Sequence, residues 1–363
     1  MDVDRRQVMA YRVAALGLAE RGRKRPGELP VLDLGVQEYT PGSVQVALAA
    51  RTQAELSDDR LLMVWAARGA PHLHRRKDLK SLVKALWPVS DADAAARIKS
   101  GQIPQAGQLG IRAFTLTAQA FREVVHSSMP RGAVSTQVSA RVPAVLTYDC
   151  RSCAARHIAG NVWQHSGLAG GVQVESRGKD ATLGPIRDAP PLPAENAGIA
   201  ALITTYLRLL GPATPMELGK YLGSSTAEMK KVWPGDLTEV RIDGRQAWLP
   251  SGSVAELSAA EPAPGVRLLP AMDPLLQARD RDVLVPDRAR QKEIWKLLGN
   301  PGVLLVDGEI AGVWRAKMAG KKRVDLTVTP FGTLSAKERK AVQEEAAVVA
   351  RAREASEAAV SFS

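Results

Sequence analysis

Residues 32–51 read Leu-Asp-Leu-Gly-Val-Gln-Glu-Tyr-Thr-Pro-Gly-Ser-Val-Gln-Val-Ala-Leu-Ala-Ala-Arg, an apolar segment that delivers Gln37 and Tyr39 to its end. Pro41-Gly42 turns the chain, and Ser43 can cap the helix that follows. In an extended backbone Gln37 and Tyr39 share a face and Glu38 points away. An amide carbonyl can orient water or face a developing cation, whereas a tyrosine hydroxyl can hydrogen-bond water but is a poor base at neutral pH. Taken alone, Gln37 reads more simply as a loop glutamine capping nearby backbone.

Two other groups of residues carry potential chemistry. Cys150, Cys153 and His157 have C-x-x-C-x-x-x-H spacing, with His165 further on. Tetrahedral zinc needs a fourth ligand at a familiar interval, so buried or turn thiols are the simpler reading. His72 and His74 lie on one face of an expected strand. No cysteine or carboxylate pattern completes a site there, which leaves a polar cleft lining or packed histidines. No glycine-rich segment has the lysine and spacing of a phosphate-binding loop, and neither cysteine sits near an H-x-E pattern of a zinc deaminase. No metal and no cofactor are expected.

The elements that must position these residues are clearest in residues 196–250. Ile199, Leu202, Ile203, Tyr206, Leu207 and Leu210 form one helical stripe, stopped by Gly211-Pro212. Thr214-Pro215-Met216-Glu217 and Ser225-Thr226-Ala227-Glu228 are capping boxes that open a second and a third helix. Val240 and Ile242 alternate with charged neighbours, and Asp243-Gly244 is a two-residue hairpin turn. Three helices and a hairpin with a basic tip make a winged helix. Its third helix, bearing Lys230 and Lys231, suits a major groove, and its wing carries Arg245.

Helices are expected over residues 5–21, 75–86, 117–128 and 135–141, with strands over 61–64, 67–74, 145–148 and 172–174. Ser176-Arg177-Gly178-Lys179 resembles a second basic wing. Residues 303–306 and 310–314 flank Asp307-Gly308 as a hairpin, residues 324–328 add a strand, and Ser335 with Glu338 opens a helix running toward the C-terminus. The loop 317–323, with Lys321, Lys322 and Arg323, suits phosphate or solvent equally. The fold class is α+β, with tandem winged-helix motifs and a small antiparallel β-rich C-terminal unit. The regions are 1–112, containing the candidate catalytic segment, 113–190, a degenerate winged helix, 191–258, the clear one, and 259–363, the β-rich unit with its terminal helix.

At 363 residues the chain holds several domains, and its net charge of +11, from 49 basic and 38 acidic residues, favours a polyanionic partner. Double-stranded DNA is the expected partner, with candidate contacts at Arg51, Arg68, His72, His74, Arg75, Arg76, Lys230, Lys231, Arg245, Lys321, Lys322 and Arg323. No apolar run reaches membrane-spanning length and the N-terminus lacks a signal-peptide core. A cytoplasmic monomer without membrane association is expected.

The run Leu34-Gly-Val-Gln-Glu-Tyr39 with Leu48-Ala-Ala-Arg51, and Trp65-Ala-Ala-Arg-Gly-Ala-Pro-His-Leu-His74, resembles the winged-helix DNA-binding family that includes the AlkZ and YcaQ DNA glycosylases. Leu268-Leu-Pro-Ala-Met-Asp-Pro-Leu-Leu276, Arg279-Asp-Arg281 and residues 301–315 are similar to that family's C-terminal signatures. The resemblance spans nearly the full chain. It implies three tandem winged helices around a concave channel for duplex DNA, a β-rich C-terminal unit, and metal-free excision of alkylated purines, including bulky and crosslinked ones. The family's catalytic motif is glutamine, an aliphatic residue, then glutamine or aspartate. Gln37 matches the first position, while Glu38 and Tyr39 depart from the other two.

An N7-alkylated purine is already cationic and leaves readily, so the enzyme has to stabilise the oxocarbenium-like sugar and place a water. The expected function is a DNA glycosylase hydrolysing the N-glycosidic bond of N7-alkylated purines, with Gln37 orienting water and Tyr39 assisting. The alternative is a non-catalytic winged-helix DNA-binding protein, serving lesion recognition or transcriptional regulation.

Overall fold

The computed structural model describes residues 1–152, 154–176 and 180–363, and the chain is a mixed α+β protein that divides into two compact units. One comprises residues 1–59, 204–214 and 235–363; the other comprises 60–203 and 215–234.

The first unit is built on a five-stranded sheet ordered Val266–Leu269, Gly302–Val306, Glu309–Ala319, Arg323–Pro330 and Glu357–Phe362. The first four strands pair antiparallel and the last pairs parallel to its neighbour. Asp307 and Gly308 both have positive φ, 48° and 82°, which is the backbone a tight hairpin needs to match strand twist. Gly302 is required for another reason. A Cβ there would collide with Trp314, whose indole Nε1 donates to the Leu269 carbonyl at 2.8 Å.

Helix Ala336–Ala352 begins at the expected capping box, with Glu338 N donating to Ser335 Oγ at 3.2 Å and Ser335 N donating to Glu338 Oε2 at 2.6 Å. Its Val342, Ala346, Val349 and Ala350 bury against Val324, Leu326 and Val328 of the sheet. The helix ends at Ala352, and an edge strand that the sequence did not announce follows it. Glu354 takes a positive φ of 60°, and residues 357–362 then alternate, placing Ala358, Val360 and Phe362 on the core side of the edge strand.

A second sheet in this unit orders Asp2–Val3, Leu237–Ile242 and Arg245–Pro250, and Val3, Val8, Tyr11, Val240, Ile242 and Leu249 form its core. Helix Arg5–Ala15, shorter than expected, places Arg12 fully inside this unit. Its guanidinium grips both oxygens of Asp280 at 2.9 and 2.6 Å and donates to the Gly211 carbonyl at 3.2 Å.

The second unit begins with the antiparallel hairpin Leu61–Trp65 and Pro71–Arg75. Helices Leu79–Leu86, Asp91–Ile98, Ile111–Val124, Arg131–Ser139 and Gly160–Ser166 follow, with a second hairpin of Thr147–Cys150 and Ala155–Ile158. Trp65, Phe121 and Trp163 form an aromatic core cluster with ring centroids 4.5 to 6.3 Å apart. A buried Asp93–Arg97 ion pair at 2.7 Å spans one helical turn. The helix expected over 117–128 lies at Ile111–Val124, because Val125 leaves helical geometry at φ −97°, ψ 87°.

Each element expected in residues 196–250 is present: helices Ile199–Leu210, Pro215–Leu222 and Thr226–Lys231, then the hairpin turning at Asp243-Gly244. Residues 215–234 group with the second unit and the hairpin with the first. Among the described residues no helix is long and apolar enough to cross a membrane.

Candidate functional site

Val36–Gln37 is a strand of only two residues, so the alternation expected through Tyr39 ends early. The cause is Glu38. Its buried carboxylate accepts from Gly42 N at 2.9 Å, Ser43 Oγ at 3.0 Å and Val44 N at 2.8 Å, capping the orphan amides of helix Ser43–Ala49. Ser43 Oγ in turn accepts from Tyr39 N at 2.9 Å. Glu38 therefore folds the turn that sets Gln37 and Tyr39, a role that an aliphatic residue could not fill. Glu38→Ala is expected to lower the stability of this unit by about 2–3 kcal/mol, the scale for a lost charge-assisted contact, read as a lower urea midpoint with an unchanged slope.

Gln37 is half-buried, and its Oε1 accepts from Gln277 Nε2 at 3.0 Å. Gln277 is buried, donates also to the Met272 carbonyl at 3.1 Å, and accepts at Oε1 from Arg279 Nη2 at 3.1 Å. Tyr39 Oη accepts from the Asn300 backbone amide at 3.2 Å, and Asn300 Nδ2 reaches Met272 Sδ at 3.7 Å. Gln37 and Tyr39 are thus linked through Gln277, Met272 and Asn300. Met272 holds a positive φ of 61°, a strained conformation for a residue with a side chain and one that clusters at functional sites. The sequence offered a partial signal for two of these three. Gln277 lies between the two C-terminal signatures, residues 268–276 and 279–281, and Met272 lies inside the first.

The stretch around Gln277 also anchors the segment from beneath. Arg51 is 2% exposed and makes a two-pronged ion pair with Asp273, at 2.9 and 2.8 Å, while donating to the carbonyls of Leu16 at 2.8 Å and Ala47 at 2.6 Å. Asp273 accepts as well from Leu275 N at 3.0 Å. Arg51, expected to touch DNA, is spent entirely on internal bonds.

His72 and His74 are each 2% exposed on the inner face of their hairpin. Burial pushes both imidazoles down to about 3. A further lowering comes at His72 from His74, and at His74 from Arg75. Both rings are neutral at pH 7 and carry no charge to offer a phosphate. Arg68 donates to the Tyr221 carbonyl at 2.6 Å with its guanidinium 5.4 Å from that ring, and Arg75 is buried beside Asp78 at 3.2 Å. Of the two readings open for the histidines, polar cleft lining or packed rings, these placements fit packed rings: the strand's alternation turns both inward.

Arg76 and Lys230 are exposed; exposed Lys231 pairs with Glu228 at 2.6 Å. Arg245 is half-buried and lies 3.3 Å from Asp280. Lys321, Lys322 and Arg323 are exposed around the turn of the long hairpin, with Arg323 paired to Asp325 at 2.8 Å. The reading of zinc at Cys150, Cys153 and His157 includes Cys153, and that of a second wing includes residues 177–179; both lie partly outside the described residues. Among the described residues no group of three or more histidine, cysteine or acidic side chains could hold a metal.

Comparison with known proteins gives a consistent result. The family model for AlkZ-like DNA glycosylases matches residues 31–352. The interstrand DNA cross-link repair glycosylase of Streptomyces sahachiroi is 33% identical over 172 residues, an alignment covering 44% of this chain and 44% of that protein. The solved structure of the Streptomyces sahachiroi DNA glycosylase AlkZ superposes with a TM-score of 0.77 at 25% identity, covering 100% of both chains.

Proposed function

The chain belongs to the AlkZ-like DNA glycosylase family, and from that premise we propose that it hydrolyses the N-glycosidic bond of N7-alkylated purines in duplex DNA, bulky or crosslinked adducts included. The observation that carries this reading is the half-buried amide of Gln37, held by a hydrogen bond from the buried amide of Gln277. In this reaction the C1′–N9 bond breaks, its electron pair neutralises the cationic base, and water adds to C1′ and loses a proton. A fixed carbonyl dipole orients that water and meets the positive sugar without reorganising. Tyr39, whose oxygen accepts from Asn300 N, assists as a hydroxyl donor in place of the family's second amide or carboxylate. Exposed Arg76 and Lys230, on the proposed winged-helix regions, and Lys321 and Lys322, on the β-rich C-terminal unit, are the cations proposed to meet phosphate.

One observation favours a second reading, a lesion-binding protein without hydrolysis. The carboxylate of residues 36–39 belongs to Glu38, which is turned inward as a helix cap. The two readings separate in one experiment. The purified protein is incubated with duplexes bearing N7-methylguanine, a bulky N7 adduct or an N7–N7 interstrand crosslink. Free modified base and an abasic site are expected, and salt-sensitive duplex binding with no product across the panel would instead establish the second reading.

A further inference from the structure

Between helix Arg288–Ile294 and strand Gly302–Val306 runs a loop whose tip is Leu297-Leu298. Leu297 is 99% exposed and Leu298 84% exposed, the two most exposed large apolar side chains among the described residues. Burying a leucine is worth about 2 kcal/mol, so neither contributes that stabilisation to the free protein. The feet of the loop are firmly held. Arg281 lies over the Trp295 ring at 4.8 Å, Arg315 Nη2 donates to the Gly299 carbonyl at 2.7 Å, and Asn300 N donates to Tyr39 Oη at 3.2 Å.

We propose that Leu297-Leu298 is a wedge that enters the base stack of duplex DNA beside the damaged nucleotide. The proposal rests on the glycosylase reading and extends it to a named contact. Three features select this occupant over an apolar protein surface. The apolar area is two side chains wide, which suits a gap between base pairs rather than a broad interface. Its surroundings carry more cations than anions: exposed Lys296 and Arg315 line a recess of about 170 Å³ at the loop's foot together with Glu293, and Lys292 and Lys317 are exposed on the flanking helix and strand. Its position is also tied to the candidate chemistry. Leu298 is two residues from the amide that holds Tyr39, which limits the tip to roughly 10 Å from that hydroxyl, within about three base steps. Separating the stack next to the lesion opens the sugar to Gln37 and leaves the leucines packed against base faces.

The test uses the full chain, its L297S/L298S variant, and a duplex carrying one N7-methylguanine beside a 2-aminopurine, whose fluorescence rises on unstacking. The wild type is expected to raise the fluorescence on binding and the variant to bind without that rise. Base release from the duplex should fall about ten- to a hundredfold in the variant, the scale set by the unstacking energy of one step. Release from the same lesion in single-stranded DNA should stay within about twofold, because no stack has to be opened there. A variant that keeps the fluorescence rise, or loses activity equally on both substrates, overturns the wedge. Wild-type protein that releases base with no fluorescence change overturns the wedge and leaves the glycosylase reading intact, whereas binding and unstacking without release overturns the glycosylase reading and supports the wedge. Wild-type protein that does not bind the duplex overturns both.

Discussion

Gln37→Ala is expected to lower single-turnover base release from N7-alkylated duplex by about a hundred- to a thousandfold, the loss typical when one preorganised dipole at a developing charge is removed. Duplex affinity in the same variant changes little, because the amide acts on the sugar as charge develops and not on the backbone phosphates. The geometry adds a stricter expectation. Gln277 reaches the reaction only through the amide it orients, so Gln277→Ala alone should cost about tenfold, and the same change should cost nothing further in a Gln37→Ala background. Additive losses would show that Gln277 acts on the substrate directly. An unchanged rate in Gln37→Ala, measured by chromatography of the released base, would remove Gln37 from the reaction.

The second large effect is on stability. Asp273→Ala leaves the Arg51 guanidinium buried opposite a missing carboxylate and is expected to destabilise the first unit by about 3–5 kcal/mol, as for other broken buried pairs. Arg51→Met leaves the equally buried Asp273 carboxylate with the Leu275 amide as its donor and strips the carbonyls of Leu16 and Ala47 of theirs, so a loss of similar size is expected. Differential scanning calorimetry checks both. Equal transition temperatures for Asp273→Ala and the wild type would show that the pair contributes nothing net.

The fold was legible wherever a local signal controlled the outcome. The capping box at Ser335 and Glu338, the Asp243-Gly244 and Asp307-Gly308 turns, and the apolar stripe from Ile199 to Leu210 all found their elements, because each is decided within a few residues. The edge strand Glu357–Phe362 was missed. An alanine- and glutamate-rich stretch favours helix by propensity, and only the neighbouring strand Arg323–Pro330 selects the extended form. Charge misled in a related way. Arg51 and Arg75 look like phosphate contacts in sequence, but their destinations are set by Asp273 and Asp78, and the first of those lies 222 residues away. At the candidate site Gln37 was legible through resemblance and Glu38 through its departure from pattern. The contacts that join the site to Gln277, Met272 and Asn300 were not, since no spacing rule links residues so far apart, even where a signature ran through or beside the partner.

The Gln37–Gln277 bond spans 240 residues and the Arg12–Asp280 pair 268, so Gln37, although set by its own local turn, lacks its distant partner until most of the chain exists. During synthesis at about 5–20 residues per second, Gln37 would wait roughly ten to fifty seconds on the ribosome before Gln277 is even made. A truncated or half-made polypeptide therefore carries the glutamine without the brace that aims it. Under the proposed function, the growing chain would reach its full rate of base release only after Gln277 has been made and placed.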